Sequence, residues 1–360
     1  MTTIEQRDQA AQWHAWIAEN LLRGVSPYDI AGTMEASGVD RSSAEQAIAS
    51  AADHPYLQGA RVAAEAAAAA SAAKLASNAA APGSSARAKK YAWWLEVQRR
   101  AARLSSHHGE LPRVTNPSAE EFLEDFYSRN RACVIEGAME SWPALERWQS
   151  PDYLKSVCGD AIVEAQSRGN AGGDAATLSD ANLAKSLPFG EFIDIVETAG
   201  ESQDWYMIAN NGAKNLQPLL PLLDDVAYAP FLQPDPARTF LWYGPKGIVT
   251  PLHHDLTNNL MAQVRGRKYI QLIAPHESAH MYNHVHRYSQ VDSFDIDYDA
   301  FPAMRDVTIV DVELGPGQML FIPSGWWHAV RGLDISITLT MMRFPWDNEF
   351  HEFYDSYGEL

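Results

Sequence analysis

A chain of 360 residues, 46% hydrophobic and 21% charged, can bury a sizeable core as one large domain or two smaller ones. Its 28 Lys and Arg face 46 Asp and Glu, a formal net charge of −18. A field of that sign repels phosphate backbones and anionic lipid, so the expectation is no nucleic acid and no membrane among its partners. Two cysteines, Cys133 and Cys158, are too few for a disulfide framework or a four-thiolate zinc site. With no basic-then-apolar leader after Met1, they point to a reduced, cytoplasmic setting.

Residues 1–108 read as an α-helical, Ala-rich region. Gln6–Leu22 sets Ala10, Trp13, Trp16, Ile17 and Leu21 at helical spacing. Ser26-Pro27 offers an N-cap followed by proline at the first helical position, and Ser42 with Glu45 reads as a capping box for a third helix. The alanine run Ala60–Ala81 makes a fourth helix, too often interrupted by charge (Arg61, Glu65, Lys74) to be a membrane span. A fifth covers Ala86–Leu104 with Tyr91, Trp93, Trp94, Leu95 and Val97. Such helices suit dimerisation (a homodimer) or substrate recognition.

Residues 109–360 change texture. Ala132–Glu136, Ala161–Gln166, Trp205–Ala209, Thr239–Trp242, Tyr269–Ala274, Thr308–Val312, Gln318–Ile322 and Ile335–Met341 read as strands. Helices are predicted at Ser118–Arg129 and Pro188–Thr198. Few helices separate the later strands, so the sheet is expected to be largely antiparallel, in a sandwich or barrel: mainly β with α.

Within this domain, His253-His254-Asp255 follows a strand-like stretch. Alternation turns His253 and Asp255 to one side and His254 to the other. A third ligand is expected from His328, at the end of Phe321-Ile-Pro-Ser-Gly-Trp-Trp-His328. Two imidazoles and one carboxylate on one face leave three positions open, as in the facial triad of non-haem Fe(II) oxygenases.

The surrounding stretches are Thr250-Pro-Leu-His253-His-Asp255-Leu-Thr-Asn-Asn259, Gln263-Val-Arg-Gly266-Arg-Lys268, Ser289-Gln-Val-Asp292, Phe301-Pro302, Gly315-Pro-Gly-Gln-Met-Leu-Phe-Ile-Pro323 and Trp326-Trp327-His328. Together they resemble the JmjC and cupin-like hydroxylase family, most of all its asparaginyl-hydroxylase branch, typified by factor inhibiting hypoxia-inducible factor. The resemblance covers residues 110–345 and is dense from Thr239 to Phe344.

It implies a double-stranded β-helix (jelly roll), with Fe(II) as cofactor and 2-oxoglutarate and O2 as cosubstrates. His253, Asp255 and His328 match the metal ligands. Lys268 matches the lysine that pairs with the distal carboxylate of 2-oxoglutarate, Thr250 the hydroxyl beside it and Asn259 a pocket asparagine. Tyr206 matches, more loosely, a tyrosine on that carboxylate. Near the last strand, Ile337-Thr-Leu-Thr-Met-Met342 puts methionine where that branch has a pocket asparagine.

The implied activity is 2-oxoglutarate-dependent hydroxylation of a C–H bond on a protein or peptide side chain. A small molecule or natural-product intermediate as substrate, and a non-catalytic metal-binding barrel, are the alternatives. N-methyl-lysine demethylation would use the same iron chemistry. Trp242, Tyr243, Trp326 and Arg343 are expected near the mouth. A competing motif, His276-Glu277-Ser-Ala-His280, matches the zinc-protease signature His-Glu-x-x-His, which requires a helix carrying both imidazoles on one face. Pro275 directly before it argues for a loop instead.

Overall fold

The computed structural model describes residues 13–14, 16–18, 20–22, 26–60, 86–167, 183–207, 214–285 and 287–353. Contacts divide the chain between Ser84 and Ser85 into two compact units.

In the first unit, helix α1 (Pro27–Ala36) starts as expected, with the Ser26 side chain accepting from the Asp29 amide and proline at the first position. Helix α2 (Arg41–Ala52) is capped by Asp40, which accepts from Ser43 N, and not by Ser42. Asp40 suits the position better because its carboxylate also meets the positive end of the helix dipole. Ile30, Ala31, Met34, Ala44 and Ile48 close with Ile17 into a small core. The fourth expected helix lies almost wholly outside the described residues, as do residues 208 and 209 of the predicted strand Trp205–Ala209.

The second unit begins with α3 (Ala86–Ala102), so this helix groups with the β-rich part of the chain. Strand β1 (Arg113–Thr115) follows. The predicted helix over Ser118–Arg129 is instead a short α4 (Ala119–Phe122) with a Ser118–Glu121 capping box, continued by a π-helical turn over Leu123–Tyr127. The wider turn lets Phe122, Phe126 and Tyr127 all reach the core. Next come β2 (Cys133–Glu136), α5 (Ala144–Arg147), α6 (Pro151–Cys158), β3 (Ile162–Gln166), β4 (Ala184–Pro188), α7 (Phe189–Thr198) and β5 (Tyr206–Met207). The barrel strands are β6 (Thr239–Gly244), β7 (Val249–His254), β8 (Asn259–Arg265), β9 (Lys268–Ile273), β10 (Asn283–Val285), β11 (Tyr288–Ser289), β12 (Val310–Leu314), β13 (Met319–Ile322), β14 (Trp327–Gly332) and β15 (Ser336–Met341).

Two six-stranded sheets result, in the orders β1-β2-β13-β8-β15-β6 and β10-β11-β7-β14-β9-β12, beside a small β4-β3-β5 sheet. Apart from the parallel β1–β2 pair, every ladder is antiparallel. The chain thus has the expected jelly-roll architecture.

Period-two alternation sorts each strand's side chains into layers. In β13, Leu320 and Ile322 meet Ile270, Leu272, Val312 and Val330 between the two sheets, whereas Met319 and Phe321 face the helices. On that outer side, Asp225 is almost fully buried and accepts from Arg147 Nη1 at 2.6 Å, Tyr153 OH at 2.7 Å and Trp148 Nε1 at 3.0 Å, tying α5 and α6 to the 3-10 helix Gln217–Asp225. A third apolar layer, including Met281, Val291 and Met304, covers the far side of the second sheet.

The hairpin from β8 to β9 turns on Gly266, with φ +65° and a Cβ position only 2.1 Å from Ile335 O. Both the left-handed backbone and the backbone contact exclude a side chain. Gly266→Ala should therefore lose at least ~2 kcal/mol of stability. Urea denaturation checks this; an unchanged midpoint would show that the hairpin can rearrange freely.

Candidate functional site

Strands β7 and β14 are neighbours, in a register that sets His328 opposite His253 and Trp327 opposite His254. The two ligand-type imidazoles are thereby brought together from distant segments, with ring centroids 4.2 Å apart. Each ring rests its Nδ1 on a backbone carbonyl, His253 on Pro251 O at 2.8 Å and His328 on Trp326 O at 3.0 Å. A carbonyl only accepts, so Nδ1 carries the proton in both neutral rings and Nε2 is left as the lone pair. Those Nε2 atoms lie 4.0 and 3.7 Å from the carboxylate of Asp255, just beyond the end of β7. One donor atom from each of the three residues falls within 4.8 Å of the others, the spacing a single metal ion requires. His254 points away, its ring edge-on to Trp327.

The protonation states agree. Burial, reinforced by His328, pushes His253 down to about 3, and burial likewise lowers His328 against the pull of Asp255. Burial opposes ionisation of Asp255, but His328, His253 and Arg287 outweigh it and hold its carboxyl below the usual range. At neutral pH the site therefore offers two neutral imidazoles and an anionic carboxylate, the forms that bind a metal.

The triad opens on a cavity of about 290 Å³, also lined by Tyr206, Thr250, Asn259 and Lys268. All seven residues singled out in the sequence meet there. Strict alternation would not have done this. Thr250 and His253 are three apart, and a register irregularity opposite His328 and Val330 shifts the phase so that both face inward. Pro251, which cannot donate to a ladder, sits within that irregular stretch.

Two observations test whether Fe(II) and 2-oxoglutarate fit. Lys268 is buried, and among the described residues no carboxylate lies within ion-pair distance of it; burial pushes it down to about 7. A buried lysine facing a cavity without a counter-charge suits an anionic ligand. Asn259 donates to Asp255 Oδ2 at 3.2 Å, while its own Oδ1 is buried without a partner. The donor set and the lysine both fit the pair that the family resemblance implies.

Some expectations need correction. Of the four residues expected at the mouth, only Trp242 lines the cavity. Tyr243 alternates to the other face of β6, where it is fully buried and its hydroxyl donates to Glu197 at 2.6 Å. Trp326 donates to Asn130 O at 2.9 Å, and Arg343 is exposed away from the cavity. Of the two methionines, Met342 lines the cavity but Met341 packs in the core.

The zinc-protease motif occupies a 3-10 turn, Pro275–His280. With three residues per turn, positions 276 and 280 do not share a face. Glu277 is fully buried in an ion pair with Arg99 at 2.7 Å, leaving no general base beside a metal. Among the described residues, only His253, Asp255 and His328 form a candidate metal cluster.

Residues not anticipated are Arg287, which donates to Asp255 Oδ1 at 3.0 Å, and Tyr288, whose ring stacks on His253 at 5.5 Å. Only the pairing of β11 with β7 brings them in, and nothing local in the sequence signals that ladder.

A barrel with two histidines and one carboxylate at an inner cavity defines the class, and comparison with known proteins specifies it. Residues 118–352 match the cupin-like domain, and the chain belongs to that family. It is 33% identical to lysine-specific demethylase JMJ30 of Arabidopsis thaliana, over 64% of this chain and 53% of that protein. It is 32% identical to lysine-specific demethylase 8 of Danio rerio, over 64% and 57% respectively. Human tRNA wybutosine-synthesizing protein 5 is 22% identical, over 71% of this chain and 84% of its own length. The matched region spans about half the length of the two demethylase relatives.

The state of Lys268 has a measurable consequence. Its folded value near 7 leaves it cationic below that pH and neutral above it, and only the cation attracts a carboxylate. In the Mn(II)-loaded protein, the dissociation constant for 2-oxoglutarate should rise from pH 7 to 9, approaching about tenfold per unit. Lys268→Met should bind weakly with a flat profile. A flat wild-type profile would remove Lys268 from the binding charge.

Proposed function

We propose that the protein is an Fe(II)- and 2-oxoglutarate-dependent oxygenase that hydroxylates a C–H bond on a protein or peptide side chain. The observation carrying this reading is a metal-type triad sharing one cavity with a buried, uncompensated lysine. When bound, Fe(II) with 2-oxoglutarate and dioxygen supplies the two-electron oxidation of the C–H bond, with release of succinate and carbon dioxide.

The chain's own part is to bind, orient and keep water out. His253, Asp255 and His328 would hold the metal, the Nδ1–H bonds of the two imidazoles to backbone fixing where each Nε2 points. Lys268, with Thr250 and Tyr206, takes the distal carboxylate, and Asn259 steadies Asp255 through its Nδ2. Trp242 and Tyr288 form apolar walls that favour a dry site and a fixed substrate pose.

The resemblance read from the sequence motifs points to side-chain hydroxylation, although the compared relatives carry demethylase and tRNA-modification names and not that of an asparaginyl hydroxylase. Relatives named lysine-specific demethylases make methyl-lysine the second reading, since oxygenation of an N-methyl group is the same chemical step. A small-molecule substrate shares the same machinery.

We assign the helical N-terminal region to dimerisation or substrate recognition, and the whole protein to the cytoplasm. Both cysteines are free and buried, and among the described residues no helix is long and apolar enough to cross a membrane.

Succinate release from 2-oxoglutarate under air should require added Fe(II) and fall more than about 100-fold in His328→Ala, which removes a metal ligand. A mass increase of one oxygen on a peptide from a substrate library identifies the substrate class. Equal succinate from the variant would overturn the assignment. Fe(II) and 2-oxoglutarate binding with no oxidation of any kind would favour the non-catalytic barrel.

A further inference from the structure

The sheet that carries the histidine ligands has two faces. One lines the cavity; the other is covered by the segment between β9 and β12, whose Met281, Val291 and Met304 pack on Leu252, Ile273, Trp327 and Ala329. This cover is itself clamped by α3, which lies outside the matched residues 118–352. Arg99 of α3 donates through Nε to Glu277 Oε2 at 2.7 Å and through Nη2 to Asp306 O at 2.6 Å. Arg103 also donates to Asp306 O, and His108 Nε2 lies 3.0 Å from Thr308 Oγ1. Glu277 is wholly buried, its Oε1 has no hydrogen-bond partner, and His280 Nδ1 is 3.7 Å from Oε2 without a hydrogen bond. Arg99 is thus the cation that permits a carboxylate at this depth.

The clamp is connected to the ligands by short steps. Ser278, beside Glu277, donates to Pro275 O at 2.7 Å and accepts from Trp327 Nε1 at 2.9 Å. Trp327 immediately precedes His328, and its ring meets His254 edge to face at 4.7 Å. His254 is the residue between His253 and Asp255. The outward-facing side chains adjoining all three ligands are therefore held by one turn, and that turn is held by Arg99.

We propose that Arg99 is a positioning residue for the triad, acting through Glu277, Ser278 and Trp327, so that α3 is part of the metal-binding module. The proposal rests on the reading of His253, Asp255 and His328 as a metal site. It gives the His-Glu-x-x-His motif a different use: its glutamate receives the clamp and its serine passes the constraint to the sheet. Loss of Arg99 would take from the buried Glu277 its ion-pair partner, shift the turn, and release Trp327 and the ligand strands behind it.

The experiment is an anaerobic Co(II) titration of the full chain, read by visible absorption, which reports ligand geometry as well as affinity. It compares wild type, Arg99→Met, Arg99→Lys and Ser278→Ala, with circular dichroism confirming native secondary structure. The wild type should bind one Co(II). Arg99→Met and Ser278→Ala should bind about tenfold more weakly with an altered band shape, the size expected for outer-shell support of a metal. Arg99→Lys should recover part of the loss. Ser278→Ala leaves the ion pair in place and decides the question if Arg99→Met does not fold. Co(II) affinity within twofold of wild type and an identical spectrum in the folded variants would overturn the proposal while leaving the metal site intact. A wild-type chain that takes up no Co(II) would overturn the metal reading, and this inference with it.

Discussion

Everything at the site depends on the register between β7 and β14. Opposition of His253 and His328 across that ladder brings together ligands 75 positions apart in sequence, and a one-residue slip would turn one of them to the wrong face. The same pairing places Trp327 against His254 on the opposite side, so the cavity wall and its backing are set by one set of backbone hydrogen bonds. Asp255 then needs only to follow His253 by two residues. A jelly roll supplies such a register because each ligand strand is flanked on both sides, β7 by β11 and β14, and β14 by β7 and β9.

Buried charge is the second constraint, and it is handled differently at each place. Asp225 is answered by three donors and Glu277 by Arg99, so neither carboxylate is left open to a ligand. Glu197 receives both arms of Arg265, at 2.6 and 3.0 Å, together with the Tyr243 hydroxyl. Among the described residues Lys268 has no such partner, and the triad carboxylate is shared between Arg287 and Asn259. Where the protein completes its own ion pairs it is building the fold. Where a charge is left facing the cavity, the structure is arranged for something that arrives later.

The parts of this site that could be read from the sequence were those encoded over short distances. His253 and Asp255 follow from two-residue alternation, His328 from the turn and strand before it, and Lys268, Thr250 and Asn259 from family resemblance in one continuous stretch. Period two also separates Trp242 from Tyr243, so the expectation that both lie at the mouth was avoidable. Strands β8 and β14 went unrecognised because polar residues such as Asn259, Gln263 and His328 interrupt their apolar pattern, and those residues are polar because they serve the cavity or buried hydrogen bonds. The contacts of Arg287, Tyr288 and Arg99 depend on pairings over long sequence separation, which propensity and periodicity do not encode. The irregularity that turns Thr250 inward belongs to the same group, although Pro251 marks its place.

The most direct measurement of the central claim is a crystal structure of the protein grown anaerobically with Mn(II) and 2-oxoglutarate. The account predicts one metal ion bound by His253, Asp255 and His328, and a carboxylate of 2-oxoglutarate against Lys268. A metal bound elsewhere, at His276 and His280 for instance, or 2-oxoglutarate absent from the cavity while Lys268 remains uncompensated, would contradict it.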